Sequence, residues 1–120
     1  TSTIYGRLFE NYIAIEIKTY LSYNKIREPL TFWRTQRVTY EVDFLIGDSV
    51  AIEVKASMKI NEKQLQGLRA LEEEKHFNYR IVVCREEAPR KLEDGIIIYP
   101  WKLFLKHLYE NRFLYVSMYS

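Results

Sequence analysis

Between Glu41 and Lys55 the chain reads EVDFLIGDSVAIEVK, two runs of alternating residues that carry Glu41, Asp43, Glu53 and Lys55 on either side of a turn. Carboxylates and an ammonium gathered on one surface can support metal-assisted hydrolysis. A hard divalent cation takes a few carboxylate oxygens and keeps several waters, and a lysine beside it can hold one of those waters for attack.

Whether these groups meet depends on the register of the two arms. A two-residue loop, Gly47-Asp48, would set Asp43 against Ile52 and Glu53 against Val42, mixing apolar and charged faces. A three-residue loop, Gly47-Asp48-Ser49, instead groups Val42, Phe44 and Ile46 with Val54, Ile52 and Val50. A slip of one residue would expose that entire apolar set, so burial selects the second pairing. Asp43 then lies opposite Glu53, and Glu41 opposite Lys55. Two carboxylates about 5 Å apart repel by roughly 3 kcal/mol at an effective dielectric of about 20, so a positive group is expected between them. The competing explanation is a solvated sheet face on which Lys55 neutralises Glu41 or Glu53, a common and weak arrangement.

The other elements must bring further groups to this hairpin. Residues 4–21 have helical periodicity, with Leu8, Phe9, Tyr12, Ile13, Ile15, Ile17 and Leu21 covering most of the circumference and Arg7, Asn11 and Lys18 forming a narrow polar strip. Such a helix is expected to be buried on most sides. Glu10 falls at the edge of its apolar zone, one turn after Gly6, and can reach the hairpin face; Glu16, nearer the middle, calls for a salt bridge or a wet rim. Residues 30–34, LTFWR, read as a strand beside the hairpin, ending in Arg34, a phosphate contact or a plain surface arginine.

After the hairpin, Ala56-Ser57-Met58-Lys59 leads to a helix with Asn61 as N-cap, Gln64 at the third position, an Ile60–Leu65 staple and an inward stripe of Leu65, Leu68 and Leu71. Capping accounts for Gln64, with a substrate contact as the alternative. Gly67 costs that helix about 1 kcal/mol relative to alanine, which implies a close backbone approach. Residues 79–84 and 95–99 are continuous apolar runs, as in strands covered on both faces, with a charged loop between them. Pro100 opens a last helix, residues 101–109, with Leu103, Phe104, Leu105 and Leu108 inward. His76 and His107 read as surface or packing residues, and residues 113–120 as an extra strand or a docking tail. The order helix, three strands, helix, two strands, helix gives an α/β sandwich with a mixed central sheet flanked by helices.

At 120 residues with 48% hydrophobic and 15% aromatic content the chain is a single globular domain, residues 1–120. Its net charge of +2 permits nucleic-acid binding without requiring it. The single cysteine, Cys84, sits in an apolar run, which excludes an internal disulfide and indicates a reducing, cytoplasmic setting. No run approaches the roughly 18 apolar residues of a membrane span, so no membrane partner is expected. The chain does not begin with methionine, which suggests a piece of a longer protein.

Glu10 on the first helix, Asp43 on the second strand and Glu53-Val54-Lys55 on the third resemble the PD-(D/E)XK nuclease superfamily, whose fold is restriction-endonuclease-like. Gly6 to Glu10, Arg34, Asp43 and the ExK triplet are similar to the arrangement in archaeal Holliday-junction resolvases, although Val42 stands where a proline often precedes the aspartate. Across most of the chain, GRLFENYIAIEI, FWRTQRVTYEVDFLI, AIEVKAS, LQGLRAL and IIIYPWKLFLKHL are similar to the domain that follows the P-loop module of bacterial and archaeal AAA-type ATPases. The resemblance implies an Mg²⁺- or Mn²⁺-dependent DNA nuclease with Glu10, Asp43, Glu53 and Lys55 catalytic. The metal would be held by Asp43, Glu53, the Val54 carbonyl and Glu10, and DNA contacted by Arg34, Lys59 and Gln64. It also implies an attached ATPase module and allows a homodimer. The alternative is a catalytically inactive nuclease-fold module that binds DNA or protein for that ATPase.

Overall fold

The structure is a computed structural model and describes residues 2–37 and 40–116. Helix α1 (Ser2–Tyr23) leads into β1 (Leu30–Arg34), β2 (Glu41–Ile46) and β3 (Val50–Val54). A 3₁₀ turn (Glu62–Leu65) opens α2 (Gln66–Glu74), followed by β4 (Tyr79–Cys84), the two-residue β5 (Arg90–Lys91), β6 (Ile97–Pro100) and α3 (Trp101–Tyr109). The strands form one mixed sheet in the order β1-β2-β3-β4-β6-β5. Strands β3, β4 and β6 run parallel, and the outer pairs are antiparallel. The expected α/β sandwich is therefore present, with β5 added inside the charged loop.

Burial follows the alternation of the strands. Ile52, Val54, Ile81 and Val83 face α1 and α3, packing with Ile13, Ile17, Phe104 and Leu108. Ala51, Val82, Cys84 and Ile98 face α2, packing with Leu65, Leu68 and Leu71. The parallel strands β4 and β6 are thus covered on both faces, which explains their unbroken apolar runs. The tail turns back rather than adding a strand: Phe113 stacks on Phe104 with ring centroids 5.9 Å apart, and Leu114 is buried beside it. Residues 117–120 lie outside the described part.

Helix α1 departs from the expectation of burial on most sides. Phe9, Ile13, Ile17 and Tyr20 form its single buried face, whereas Leu8 and Ile15 are each 62% exposed. The sheet and α3 cover the helix from one direction, and nothing among the described residues lies over the opposite apolar strip. Glu16 finds a phenol instead of a cation: Tyr109 Oη donates to its Oε2 at 2.8 Å. That bond and burial push the Tyr109 phenol up to about 12, burial being the larger cause.

The hairpin has the three-residue register, with Phe44 opposite Ile52, Leu45 opposite Ala51 and Ile46 opposite Val50. Beyond Phe44 a β-bulge intervenes. On β1, Thr31 pairs with Leu45 and Trp33 with Val42, so two steps of β1 match three of β2. A bulge reverses the side-chain alternation. Val42 consequently packs on the α2 face with Leu65 and Leu68, not with Phe44 and Ile46 as strict alternation required.

One-sided burial of α1 makes a mutational contrast. Ile13→Ala is expected to cost about 2–5 kcal/mol in urea unfolding, while Ile15→Ala stays within about 0.5 kcal/mol. Comparable losses at both positions would contradict the one-faced packing.

Candidate functional site

Asp43 stands in the bulge, where β2 and β3 separate past the last paired residues. A strand residue there would leave its backbone donors without ladder partners, and two carboxylates take them up. The Val54 N–H donates to Asp43 Oδ2 at 2.8 Å, and the Asp43 N–H donates to Glu53 Oε1 at 3.2 Å. Each acid is thus fixed by the backbone of the opposite strand. Along an extended strand the N–H and C=O of one residue project to the same side, so the Val54 carbonyl faces the same gap.

Glu53 is only 4% exposed. Burial first, then the hydrogen bond and charge of Asp43, push its carboxyl up to about 9, with Lys55 pulling the other way. Glu10, on the neighbouring turn of α1, is also raised, by burial first and then by Asp43, while Lys55 opposes the shift. These mutual effects locate Glu10, Asp43, Glu53 and Lys55 around one region. Lys55 makes no ion pair within 4 Å among the described residues, and its charge acts on Glu53 and Glu10 without direct contact. The hairpin pairing stops before Glu41 could meet Lys55. Glu41 instead lies opposite Arg34 on β1 and pairs with it at 3.3 Å.

Helix α2 closes the site from the other side. Asn61 and Gln64 form the expected capping box, with bonds of 3.1 and 3.0 Å. The Gln64 amide nitrogen donates to Ser57 Oγ at 2.8 Å, so that side chain is engaged locally. Gly67 then meets the strand: a Cβ built on it would fall inside the Glu41 carbonyl oxygen and lie 3.3 Å from Glu53 Oε2. The absent side chain lets α2 approach the acids. Between them is a cleft of about 200 Å³ walled by Glu41, Glu53 and Lys55 on the sheet side, by Lys63 and Gln64 on the 3₁₀ turn and by Gln66 and Gly67 on α2. Lys59 is exposed on the connecting loop. Sequence reasoning missed Lys63 and Gln66 as cleft residues. Their position one turn before and beside Gly67 was the available signal.

A larger groove, about 470 Å³, lies at the opposite, turn end of the hairpin between Trp33, Leu45 and Phe77. Its carboxylates, Glu28, Asp48 and Glu74, are spread along the rim, and Asp48 is paired with Lys75. None of them is joined to another as Asp43 and Glu53 are through the backbone of the hairpin. Cys84 is buried and its thiol donates to the Tyr99 carbonyl at 3.5 Å, a packing role. His107 accepts or donates to Tyr99 Oη at 2.8 Å, likewise inside the fold.

The donor set suits a hard cation only in part. One oxygen of each acid is committed to a backbone N–H, leaving the second oxygen of Asp43 and of Glu53, with the Val54 carbonyl beside them. Mg²⁺ is typically held by one or two carboxylates, with water and substrate phosphate completing its shell. Two acids and a carbonyl satisfy that pattern. Glu10 does not close a tighter cage: among the described residues no group of three or more His, Cys, Asp and Glu side chains is arranged to hold a metal ion.

The sheet order and this acid pair define an α/β sandwich domain with a candidate acidic site at the carboxyl ends of its parallel strands. Residues 5–104 match the family model described as domain of unknown function DUF4143, and the chain belongs to that family. No curated protein and no solved structure matches it. Among the described residues no helix is long and apolar enough to cross a membrane.

Two outcomes follow from the geometry. A folded-state carboxyl held above its unfolded value keeps its proton while the unfolded chain loses it, so folding is penalised increasingly as pH rises from about 4.5 towards the raised value. Glu53→Gln removes that penalty. It is expected to stabilise the metal-free protein more at pH 8 than at pH 5, by no more than about 1.4 kcal/mol per pH unit in thermal or urea unfolding. A benefit independent of pH would contradict the raised carboxyl. Gly67→Ala should lower stability by roughly 1–3 kcal/mol despite the better helix propensity of alanine, because the obstacle is backbone; a stabilised variant would show that α2 stands farther from β2.

Proposed function

We propose that this domain is a metal-dependent nuclease of the PD-(D/E)XK type, hydrolysing DNA phosphodiester bonds. The observation that carries the reading is the Asp43–Glu53 pair, made at the bulge with Lys55 two residues beyond. Asp43, Glu53 and the Val54 carbonyl would hold Mg²⁺ or Mn²⁺, which supplies a water of lowered pKa and polarises the phosphoryl oxygen. Lys55 orients the attacking water and stabilises the negative charge that develops on the phosphate. Glu10 would add negative charge beside Asp43 and Lys55. Of the three expected DNA contacts, Arg34 is neutralised by Glu41, Gln64 lines the cleft while bonded to Asn61 and Ser57, and Lys59 forms no ion pair among the described residues. Similarity to the domain that follows a P-loop module supports an AAA-type ATPase as the attached partner, in a cytoplasmic protein.

A second reading, a nuclease-like fold that binds DNA or protein without cutting, is favoured by the missing third acidic ligand among the described residues. The two are separated by incubating the protein with plasmid, single-stranded and branched DNA in Mn²⁺. The nuclease reading expects cleavage that falls on the order of 10²-fold or more in Asp43→Asn and in Lys55→Ala. Activity that survives both changes would refute the assignment, and salt-dependent binding without cleavage would select the second reading.

A further inference from the structure

The carboxyl edge of the parallel strands also carries a cluster of rings and cations on its α1 and α3 side, across the edge from the cleft that α2 walls. The Lys55 N–H donates to the Val83 carbonyl and the Arg85 N–H to the Ser57 carbonyl, each at 2.9 Å, so Arg85 is the next residue along the edge from the ExK triplet. Its guanidinium lies 4.9 Å from the Tyr5 ring centroid. One strand farther, the Lys102 ammonium lies 5.4 Å from the Trp101 ring centroid, and Tyr12 meets Trp101 edge to face at 5.7 Å. Tyr5 and Tyr12 remain 43% and 45% exposed. Arg85, Pro100, Trp101 and Lys102 border a concavity of about 440 Å³.

The charge of this patch is available to a ligand. Neither Arg85 nor Lys102 forms an ion pair among the described residues. Of the nearby acids, Glu86 is bound by Arg90 at 2.9 Å, leaving Glu87 at the rim. Exposed rings interleaved with unneutralised cations are the chemistry that binds nucleic acid with its bases unstacked: phosphates meet the cations and base faces meet the rings. In a duplex the base faces are already stacked and inaccessible to such rings.

We propose that Tyr5, Arg85, Trp101 and Lys102 form a platform for an unpaired DNA strand that continues into the acidic cleft. Neighbouring strands are about 4.8 Å apart, so the backbone at Trp101, two strands from Lys55, lies about 10 Å from it, within the reach of a few nucleotides. The inference rests on the reading of the cleft as a DNA phosphodiesterase and adds the form of its substrate: a strand unpaired on one side of the cut.

The test measures binding without metal. Anisotropy of fluorescein-labelled oligothymidylate is followed in EDTA, against a hairpin duplex of equal length. Single strands should bind at least tenfold tighter than the duplex, quench tryptophan fluorescence and lose affinity with salt. Arg85→Gln and Tyr5→Ala should each weaken binding about five- to a hundredfold, and Lys18→Gln, on the polar strip of α1, should leave it intact. Trp101 also packs on Phe9, so Trp101→Ala is interpreted only with an unchanged circular dichroism spectrum, and Arg85 and Tyr5 decide without it. Equal affinity for duplex, preference for a peptide ligand, or indifference to Arg85→Gln and Tyr5→Ala would overturn the platform even where Mn²⁺-dependent cleavage occurs. Strand binding that depends on these residues in a protein that never cleaves would uphold the platform while the nuclease reading fails.

Discussion

Where β2 parts from β3, two backbone N–H groups are satisfied by two carboxylates instead of by a ladder. Asp43 accepts from Val54, and Glu53 accepts from Asp43. A buried donor left without a partner costs about 1–3 kcal/mol, so each acid is needed by the strand facing it. The same bonds bring two like groups together in a place with little water, and the surroundings answer with a raised Glu53 carboxyl and with Lys55 nearby. A structural requirement of the hairpin and a chemically reactive arrangement are therefore one feature. Helix α2 approaches it because Gly67 has no side chain, and α1 contributes Glu10 from the opposite layer.

The hairpin was legible because its loop length and its apolar residues constrain each other: only one register buries Phe44, Ile46, Val50 and Ile52 together, and that register is present. The Asn61–Gln64 capping box and the close approach at Gly67 were legible for a similar reason, each being a residue choice with a single local cause. The bulge was not. Its residues, Asp43 and Phe44, carry no glycine or proline to mark it, and it arises from a mismatch with the neighbouring strand β1, where the flanking pairs are Thr31 with Leu45 and Trp33 with Val42. Alternation alone therefore put Val42 on the wrong face and paired Glu41 with Lys55 instead of Arg34.

Helix α1 shows a different limit. Apolar residues around its circumference predicted burial on most sides, yet periodicity reports only which residues avoid water well, not how many layers exist to cover them. The sheet and α3 occupy one side, leaving Leu8 and Ile15 in solvent. Glu16 likewise met Tyr109, ninety-three residues away, a partner that no local pattern announces. The parallel strands fared better, since Ile81 to Cys84 are apolar at every position and two covering layers are the direct consequence.

The account turns on whether Asp43 and Glu53 are brought together for a cation or only for each other. Diffraction from crystals grown with Mn²⁺, recorded with the metal's anomalous signal, addresses this most directly. The account predicts a peak between the two side chains, at coordinating distance from one oxygen of each and from the Val54 carbonyl. A map with saturating Mn²⁺, no peak in that gap, and the two carboxyl groups still hydrogen-bonded to the backbone would contradict it.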